Sequence, residues 1–133
     1  FLTSEYPHLK TSQSAGLGTS IKNLASALTK DGHSISVFVY SQDVTEIFDD
    51  NGITIYKIAY KRYPILSWYF YRKDLQQYIN KKIKEEKINL LETPDWTGIT
   101  AFISFSNATE ITVVALSKST ITTIDFPSAY FSN

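Results

Sequence analysis

The sequence predicts an α/β fold in which a parallel sheet carries helices on both faces, and three observations lead to it. The chain opens with a strand, a glycine-bearing loop, an amphipathic helix and a second strand. Short connections between such elements favour a right-handed parallel crossover. With 133 residues, of which 43% are hydrophobic and 14% aromatic, the chain has enough apolar side chains for the core of one domain.

The first predicted strand and helix flank a loop that contains two glycines. Phe1–Thr3 resembles the end of a buried strand, and Pro7 closes it because proline cannot donate to a ladder. From Thr19 onward, apolar residues recur at three- and four-residue steps, and Gly32 supplies a left-handed stop, so we predict a helix between them. The residues predicted on its apolar face are Ile21, Leu24, Ala25 and Leu28.

Two further strands follow this helix. The β-branched and aromatic run at 34–40 suits a central parallel strand buried on both faces, which makes the beginning of the chain Rossmann-like. Asp49-Asp50-Asn51-Gly52 is a strong turn signal, and the alternation of apolar and polar residues over Ile53 to Ile58 predicts the next strand.

The second half of the chain starts with a long predicted helix over about 65–87. Shorter strands are predicted at 88–92 and 110–116, with a helix start at 98–105, and the tail over 117–133 is assigned to no element. The apolar stripe predicted along the long helix consists of Trp68, Leu75, Tyr78, Ile79 and Ile83.

Composition excludes several classes of protein. Thirteen basic and thirteen acidic residues give a net charge of zero, which argues against a protein whose whole surface is devoted to nucleic acid and leaves local charge open. The absence of cysteine excludes disulfides and thiolate sites. No apolar run approaches the roughly 18 to 20 residues that cross a bilayer, and nothing resembles a signal peptide. We therefore expect a soluble, cytoplasmic protein with no metal site and no cofactor.

The glycine loop is the leading candidate for a binding site. Gly16 and Gly18 precede a helix start, where backbone N–H groups and the helix dipole suit a phosphate. A dinucleotide fingerprint is disfavoured because Ile21 occupies the position of its third glycine, and Asp43 matches the ribose-binding acid only loosely. The alternative is that the two glycines simply permit a tight turn.

Several motifs together resemble a known family. Glu5-Tyr6-Pro7, Gly16-Leu17-Gly18-Thr19, Asn23-Leu24-Ala25 and Asp31-Gly32-His33 occur in the order found in the N-terminal domain of family-4, glycogen-synthase-like glycosyltransferases of the GT-B fold. The stretch Leu91-Glu92-Thr93-Pro94-Asp95-Trp96-Thr97-Gly98 resembles a later part of the same domain. The resemblance covers about residues 1–105.

In that family two Rossmann-like domains face each other across a cleft, the first mainly holding the acceptor and the second the nucleotide-sugar. The resemblance implies that residues 1–133 form one such N-terminal domain, incomplete at its start and lacking the donor domain, and that this fragment alone is inactive. It also implies that substrate-binding residues line the cleft, with Trp96 also open to interpretation as a core aromatic. These residues are Gly16, Leu17, Gly18, Thr19, Asp95 and Trp96.

The sequence supplies no candidate for a catalytic residue. Many relatives carry a histidine in an Arg-x-His-Gly stretch after a late strand, whereas the corresponding segment 113–118 has none. His8 in the loop is more simply explained as a solvated imidazole, and His33 as part of the turn that ends the first helix.

A basic and aromatic flank runs over 57–87. It carries nine cationic and three acidic side chains, an excess of six, interleaved with Tyr60, Tyr63, Trp68, Tyr69, Phe70 and Tyr71. Lys, Arg and interfacial aromatic residues favour an anionic membrane surface, which predicts peripheral attachment. In the alternative, the aromatics pack under the sheet and the lysines are solvated.

The sequence is thus compatible with two functions. The leading one is a retaining glycosyltransferase that moves a sugar from a nucleotide-sugar donor to a saccharide or lipid-linked acceptor, with the C-terminal domain as a further partner and no nucleic acid involved. The alternative is a noncatalytic Rossmann-like module that binds an anion through the glycine loop or a partner through the basic flank.

Overall fold

The computed structural model of the protein describes residues 1–12, 15–94, 110–117 and 120–125, and it confirms an α/β fold. Contacts along the backbone divide the chain into two units, Phe1–Tyr71 and Arg72–Asn133. The elements in chain order are β1 (Leu2–Thr3), α1 (Gly16–Lys30), β2 (Ile35–Gln42), β3 (Glu46–Asp50), β4 (Ile53–Ala59), α2 (Ser67–Glu86), β5 (Leu90–Pro94), β6 (Glu110–Ser117) and β7 (Thr120–Asp125).

The first unit contains a four-stranded sheet in the order β1-β2-β4-β3. The first three of these strands are parallel, with Leu2 opposite Phe38 and Ile35 opposite Ile53, while β3 runs antiparallel to β4. The sheet is therefore mixed but mostly parallel, and it is compatible with a Rossmann-like fold. The strands predicted at 34–40 and at Ile53 to Ile58 are confirmed as β2 and β4, whereas β3 lies where no strand was predicted.

Helix α1 covers one face of this sheet. Its buried residues are Gly18, Ile21 and Ala25, a spacing of three and four residues. The helix starts at Gly16, three residues earlier than predicted, and Leu24 is 42% exposed, so its predicted position on the apolar face was wrong. The side chains buried around α1 are Tyr6, Val37, Val39, Ile53 and Ile55.

Turn residues end these elements as the sequence indicates. Gly32, with φ of +89°, lies just after the C-cap of α1, and the next amide, that of His33, donates to the Leu28 carbonyl at 3.0 Å. Asn51 and Gly52 have φ of +56° and +84° and connect β3 to β4. Two successive residues in the left-handed region define the tight hairpin turn for which Asn-Gly is the favoured pair.

Helix α2 buries one stripe at four-residue steps, namely Tyr71, Leu75, Ile79 and Ile83. The prediction of a long helix with Leu75, Ile79 and Ile83 inside is confirmed. Trp68 is 55% exposed and lies outside the stripe, so its predicted burial was wrong. Tyr78 is half-buried, and that burial raises the pKa of its hydroxyl.

The second unit contains a three-stranded sheet in the order β5-β6-β7. Strand β5 is parallel to β6, with Leu91 opposite Ile111, and β6 is antiparallel to β7. The strands predicted at 88–92 and 110–116 are confirmed within two residues at each end, and β7 lies in the tail to which no element was assigned. The helix start predicted at 98–105 lies outside the described residues. In the part of the chain that is described, no helix is long and apolar enough to cross a membrane.

Candidate ligand site at the glycine loop

The candidate site begins at the carboxyl ends of β1 and β2, where the chain leaves β1 and returns as α1. In open α/β sheets with parallel strands, ligands bind at this edge. Thr3, the last residue of β1, exchanges hydrogen bonds with Glu5: its Oγ1 accepts from the Glu5 amide and donates to the Glu5 carbonyl, both at 3.1 Å. This small turn directs the chain away from the sheet toward the glycine loop.

The N-terminus of α1 has no side chain that caps it. Ala15 occupies the N-cap position in an extended conformation (φ −130°, ψ −169°), and its methyl group cannot accept a hydrogen bond. The first helical bond joins the Thr19 amide to the Ala15 carbonyl at 3.3 Å, so the helix provides no acceptor for the amides of Gly16, Leu17 and Gly18. No acidic residue lies in the first turn. Three N–H groups thus lack an acceptor within the helix, at the positive end of its dipole.

The four predicted loop residues have different surroundings. Gly16 is exposed, and a Cβ atom there would have open space around it. The side chain of Leu17 packs against the core, so only its backbone can serve a ligand. The Thr19 side chain is exposed and donates to the Ala15 carbonyl at 3.4 Å.

Gly18 is buried against the chain's own backbone. A Cβ atom on Gly18 would lie 3.1 Å from both the Glu5 carbonyl carbon and the Tyr6 nitrogen. This glycine therefore allows α1 to approach the segment that leaves β1, which is a packing role. Its amide remains a predicted ligand contact. The two other predicted site residues, Asp95 and Trp96, lie outside the described residues.

Glu5 was not predicted as a site residue, yet it carries an unsatisfied polar atom. Its Oε2 is buried and has no hydrogen-bond partner within the described part of the chain. A buried acceptor without a partner costs free energy that a ligand hydroxyl could recover by donating to it. The sequence shows the Glu-x-Pro motif, but the burial of one carboxylate oxygen is a tertiary property that no local pattern encodes.

Gln42 is a second residue that the sequence did not reveal. It is 4% exposed at the end of β2, and its Oε1 accepts from both the amide and the hydroxyl of Ser12, at 2.9 and 3.0 Å. Its Nε2 donates to the Tyr40 carbonyl at 3.1 Å and to the Ser4 carbonyl at 3.4 Å. One buried amide thereby fastens the loop to the sheet at two points.

Asp43, the loose match to a ribose-binding acid, is engaged within the protein. Its carboxylate forms an ion pair with Lys57 at 2.5 Å, and the hydrogen bond from Lys57 holds the pKa of Asp43 below its usual value. Lys57 itself is 4% exposed, so the ion pair is what satisfies a buried ammonium group. Asp43 is accordingly not the unengaged acid that a nucleotide ribose requires.

The start of the loop is held on β3 by a row of contacts. The Tyr6 hydroxyl donates to Asp50 Oδ2 at 2.8 Å, and the Lys22 ammonium group binds the same oxygen at 2.7 Å. Burial acts to raise the pKa of Asp50, but the hydrogen bonds from Lys22 and Tyr6 keep it below the usual value. Burial and the Asp50 carboxylate raise the pKa of Tyr6. Two further contacts along the row are His8 with Phe48, whose ring centroids are 4.6 Å apart, and the ion pair of Lys10 with Glu46.

These contacts account for the histidines. His8 is half-buried against Phe48, and its Nδ1 accepts from the Lys10 amide at 3.2 Å, so it shapes the loop. His33 is exposed in the turn after α1. Among the residues whose positions are described, no group of three or more histidine, cysteine, aspartate or glutamate side chains could hold a metal ion.

In the second unit, the end of β5 carries two buried polar groups from the second motif. Glu92 is half-buried, and burial raises the pKa of its carboxyl group. Thr93 is 1% exposed, and its Oγ1 has no hydrogen-bond partner within the described ranges. In the sequence, Pro94 separates these two residues from the predicted site residues Asp95 and Trp96.

The chain was compared with protein-family models, with curated proteins and with solved structures, and none of the three comparisons gave a match.

Proposed function

We propose that this chain is the N-terminal, acceptor-side domain of a retaining GT-B glycosyltransferase, Rossmann-like with helices on both faces of its sheet. The whole enzyme would move a sugar from a nucleotide-sugar donor to a saccharide or lipid-linked acceptor. The observation that carries the proposal is the uncapped N-terminus of α1, which is open at Gly16 and follows the carboxyl end of β1 in a mostly parallel sheet.

The electrostatics of this helix end suit an anionic group. Three amides precede the first helical hydrogen bond, and the positive end of the dipole adds to their attraction. A serine, threonine or aspartate at position 15 would occupy one of these donors, but the residue there is alanine. The donor diphosphate, or an anionic acceptor, is the ligand group that we assign to this position.

The surroundings also suit a sugar. Sugars present hydroxyl groups that donate hydrogen bonds, and the buried Oε2 of Glu5 is an acceptor that lacks a donor in the described part of the chain. The backbone of Glu5 meets α1 at Gly18, so this carboxylate belongs to the same edge of the sheet as the amides. We assign Glu5 to an acceptor hydroxyl. The resemblance separately assigns Asp95 and Trp96 to substrate binding, where a carboxylate accepts hydrogen bonds from sugar hydroxyls and an indole stacks on a sugar ring.

The order of the motifs is the second support. Glu5-Tyr6-Pro7 follows β1, Gly16–Thr19 begins α1, and Asp31-Gly32-His33 follows the end of α1. In the reaction the acceptor oxygen bonds to the anomeric carbon and the nucleoside diphosphate leaves. The proposal gives this chain the tasks of binding and orientation, and it assigns none of its residues to catalysis.

Two changes at α1 test the proposal. The Ala15→Asp substitution supplies an N-cap and a negative charge, and it should raise the free energy of unfolding by about 1 kcal/mol while repelling an anionic ligand. The matched control is Asn23→Asp, which adds the same charge at an exposed position in the middle of α1. Chemical shifts of the amides of Gly16, Leu17 and Gly18 are followed by NMR while UDP-glucose, GDP-mannose or pyrophosphate is added.

We expect one nucleotide-sugar to shift these three amides in the natural chain and in Asn23→Asp but not in Ala15→Asp. Absence of any shift with all three probes would overturn the proposal, as would binding that survives Ala15→Asp. If pyrophosphate binds as tightly as either nucleotide-sugar, the noncatalytic anion-binding module replaces the glycosyltransferase as the better explanation.

A further inference from the structure

We propose that the segment Tyr60–Lys73, which joins β4 to α2 and forms the first turns of α2, is a docking surface for an anionic lipid membrane. We call it the aromatic-basic segment. The proposal does not depend on sugar transfer, since it rests on residues outside the glycine loop.

The segment concentrates the exposed apolar surface of the described residues. Ten large hydrophobic side chains are exposed among all the described residues, and five of these ten lie between positions 60 and 70. Exposed apolar residues scattered singly need no explanation, but a contiguous group marks an interaction site. The five are Tyr60 (50% exposed), Ile65 (72%), Leu66 (56%), Trp68 (55%) and Phe70 (40%).

The backbone of the segment is strained at one residue and is held in that conformation by hydrogen bonds. Leu66 has φ of +47°, a conformation that bulky residues rarely adopt, although its side chain gains little burial there. The Leu66 carbonyl accepts from the amides of Tyr69 and Phe70 at 3.0 and 3.2 Å. Ser67 Oγ accepts from the Tyr63 amide at 2.9 Å, which ties the loop to the first turn of α2. Strain of this kind persists where surrounding contacts impose it, often at functional positions.

Ring contacts give the segment a defined shape. Tyr60 packs edge-on against Tyr71 with centroids 4.7 Å apart, and Tyr63 lies 5.5 Å from Phe70. Tyr71 is buried and its hydroxyl accepts from the Ser41 amide at 2.8 Å, which anchors the cluster to the end of β2. The exposed rings and aliphatic tips are therefore presented by an ordered scaffold.

The charge of the segment selects the partner. It contains Lys61, Arg62, Arg72 and Lys73 and no acidic residue, and Asp74 is the first carboxylate after it. The whole chain has no net charge, so this excess is local. Cations next to Trp, Tyr and aliphatic side chains match an anionic membrane, where the charges meet lipid headgroups and the rings enter the interface.

The test is co-sedimentation of the 133-residue chain with vesicles of phosphatidylcholine, with and without phosphatidylserine. Removing two charges with Lys61→Gln and Arg62→Gln should lower binding by roughly fivefold per charge. The matched control removes two exposed lysines outside the basic and aromatic flank, with Lys10→Gln and Lys30→Gln. We expect the natural chain and the control to pellet with the anionic vesicles, and the binding to fall at high salt.

A second variant separates docking from folding. Asparagine tolerates the left-handed conformation at position 66, so Leu66→Asn should raise the melting temperature while weakening vesicle binding severalfold. Leu9→Asn makes the same chemical change at a fully exposed leucine outside the segment and should leave binding unchanged. Equal pelleting with both vesicle types would overturn the proposal. The proposal would also be overturned if the double lysine control weakened binding as much as Lys61→Gln with Arg62→Gln, or if Leu9→Asn weakened it as much as Leu66→Asn.

Discussion

Two glycines in the first turn of α1, only two positions apart, have different surroundings. Gly16 has open space where a side chain would extend, whereas Gly18 faces the backbone of Glu5 and Tyr6. The sequence predicts that both belong to a loop that leads into a helix. It cannot tell them apart, because the difference arises from how closely α1 approaches the end of β1.

The two positions should therefore respond in opposite directions to alanine. Gly18→Ala forces a Cβ atom against backbone atoms that cannot rotate away, and we expect it to lower the free energy of unfolding by about 1 to 3 kcal/mol. Gly16→Ala should be neutral or raise it by up to about 1 kcal/mol, because alanine loses less backbone entropy in a helix. Urea unfolding of both variants provides the measurement. Equal losses of stability would contradict the packing role assigned to Gly18.

The same reasoning explains why Gln42 and Glu5 escaped prediction while the glycines did not. Glycine near a helix start is a local signal that depends on backbone freedom. Gln42 acquires its role from Ser4 and Ser12, which lie 38 and 30 residues away in the chain, and no local pattern encodes such partners.

Among the elements, strand β3 shows where periodicity fails. Its segment Glu46–Asp50 alternates too briefly to stand out, and its two aspartates fall in the turn signal. His8 and Lys10 of the loop contact Phe48 and Glu46 on one side of the strand. This side is therefore covered through tertiary contacts and not through a continuous hydrophobic face that the sequence would reveal. By contrast, β2 was predicted from its continuous run of β-branched and aromatic residues, and β4 from the alternation of apolar and polar residues after a clear turn signal.

The hairpin between β3 and β4 depends on its glycine. Gly52 has φ of +84°, and a Cβ atom there would also lie 3.3 Å from Thr29 Cγ2 on α1. We expect Gly52→Ala to lower the free energy of unfolding by about 1 to 2 kcal/mol. Asn51→Gly, one position earlier and also in the left-handed region, serves as the control and should change stability by less. Thermal unfolding followed by circular dichroism distinguishes the two, and an unchanged midpoint for Gly52→Ala would refute the assignment.

At the scale of the first unit, a single carboxylate connects three distant parts of the chain. Asp50 at the end of β3 binds Tyr6 from the loop and Lys22 from α1. Its pKa in the folded protein lies below the usual value. A group of this kind stabilises the fold above its unfolded pKa of about 3.9, and the stabilisation disappears as the pH falls through the folded pKa.

The free energy of unfolding should reflect this coupling. At pH 7 we expect Asp50→Asn to be less stable than the natural chain by about 1 to 3 kcal/mol, since one partner of a buried charged pair is lost. The difference should shrink as the pH drops below about 4, where the natural carboxylate also becomes neutral. Asp31→Asn, at the exposed C-cap of α1, is the control. A difference that stays constant from pH 7 to pH 3 would show that charge is not what Asp50 contributes.

For the whole chain, the sequence was sufficient for the parallel strands and both helices because their hydrophobic patterns are strong. The tail was not assigned, since its serine- and threonine-rich composition lacks a period, and β7 lies there. The long helix was predicted with Trp68 inside because spacing alone cannot show that the stripe starts at Tyr71, one turn further along.

The loop between β1 and α1 is fastened on two sides, by Gln42 through Ser4 and Ser12 and by β3 through Tyr6, His8 and Lys10. Much of the conformational entropy of this loop is therefore lost when the protein folds and not when a ligand binds. We therefore expect ligand binding at this loop to be preorganised, with fast association and little rearrangement of the residues from Ser4 to Ser12.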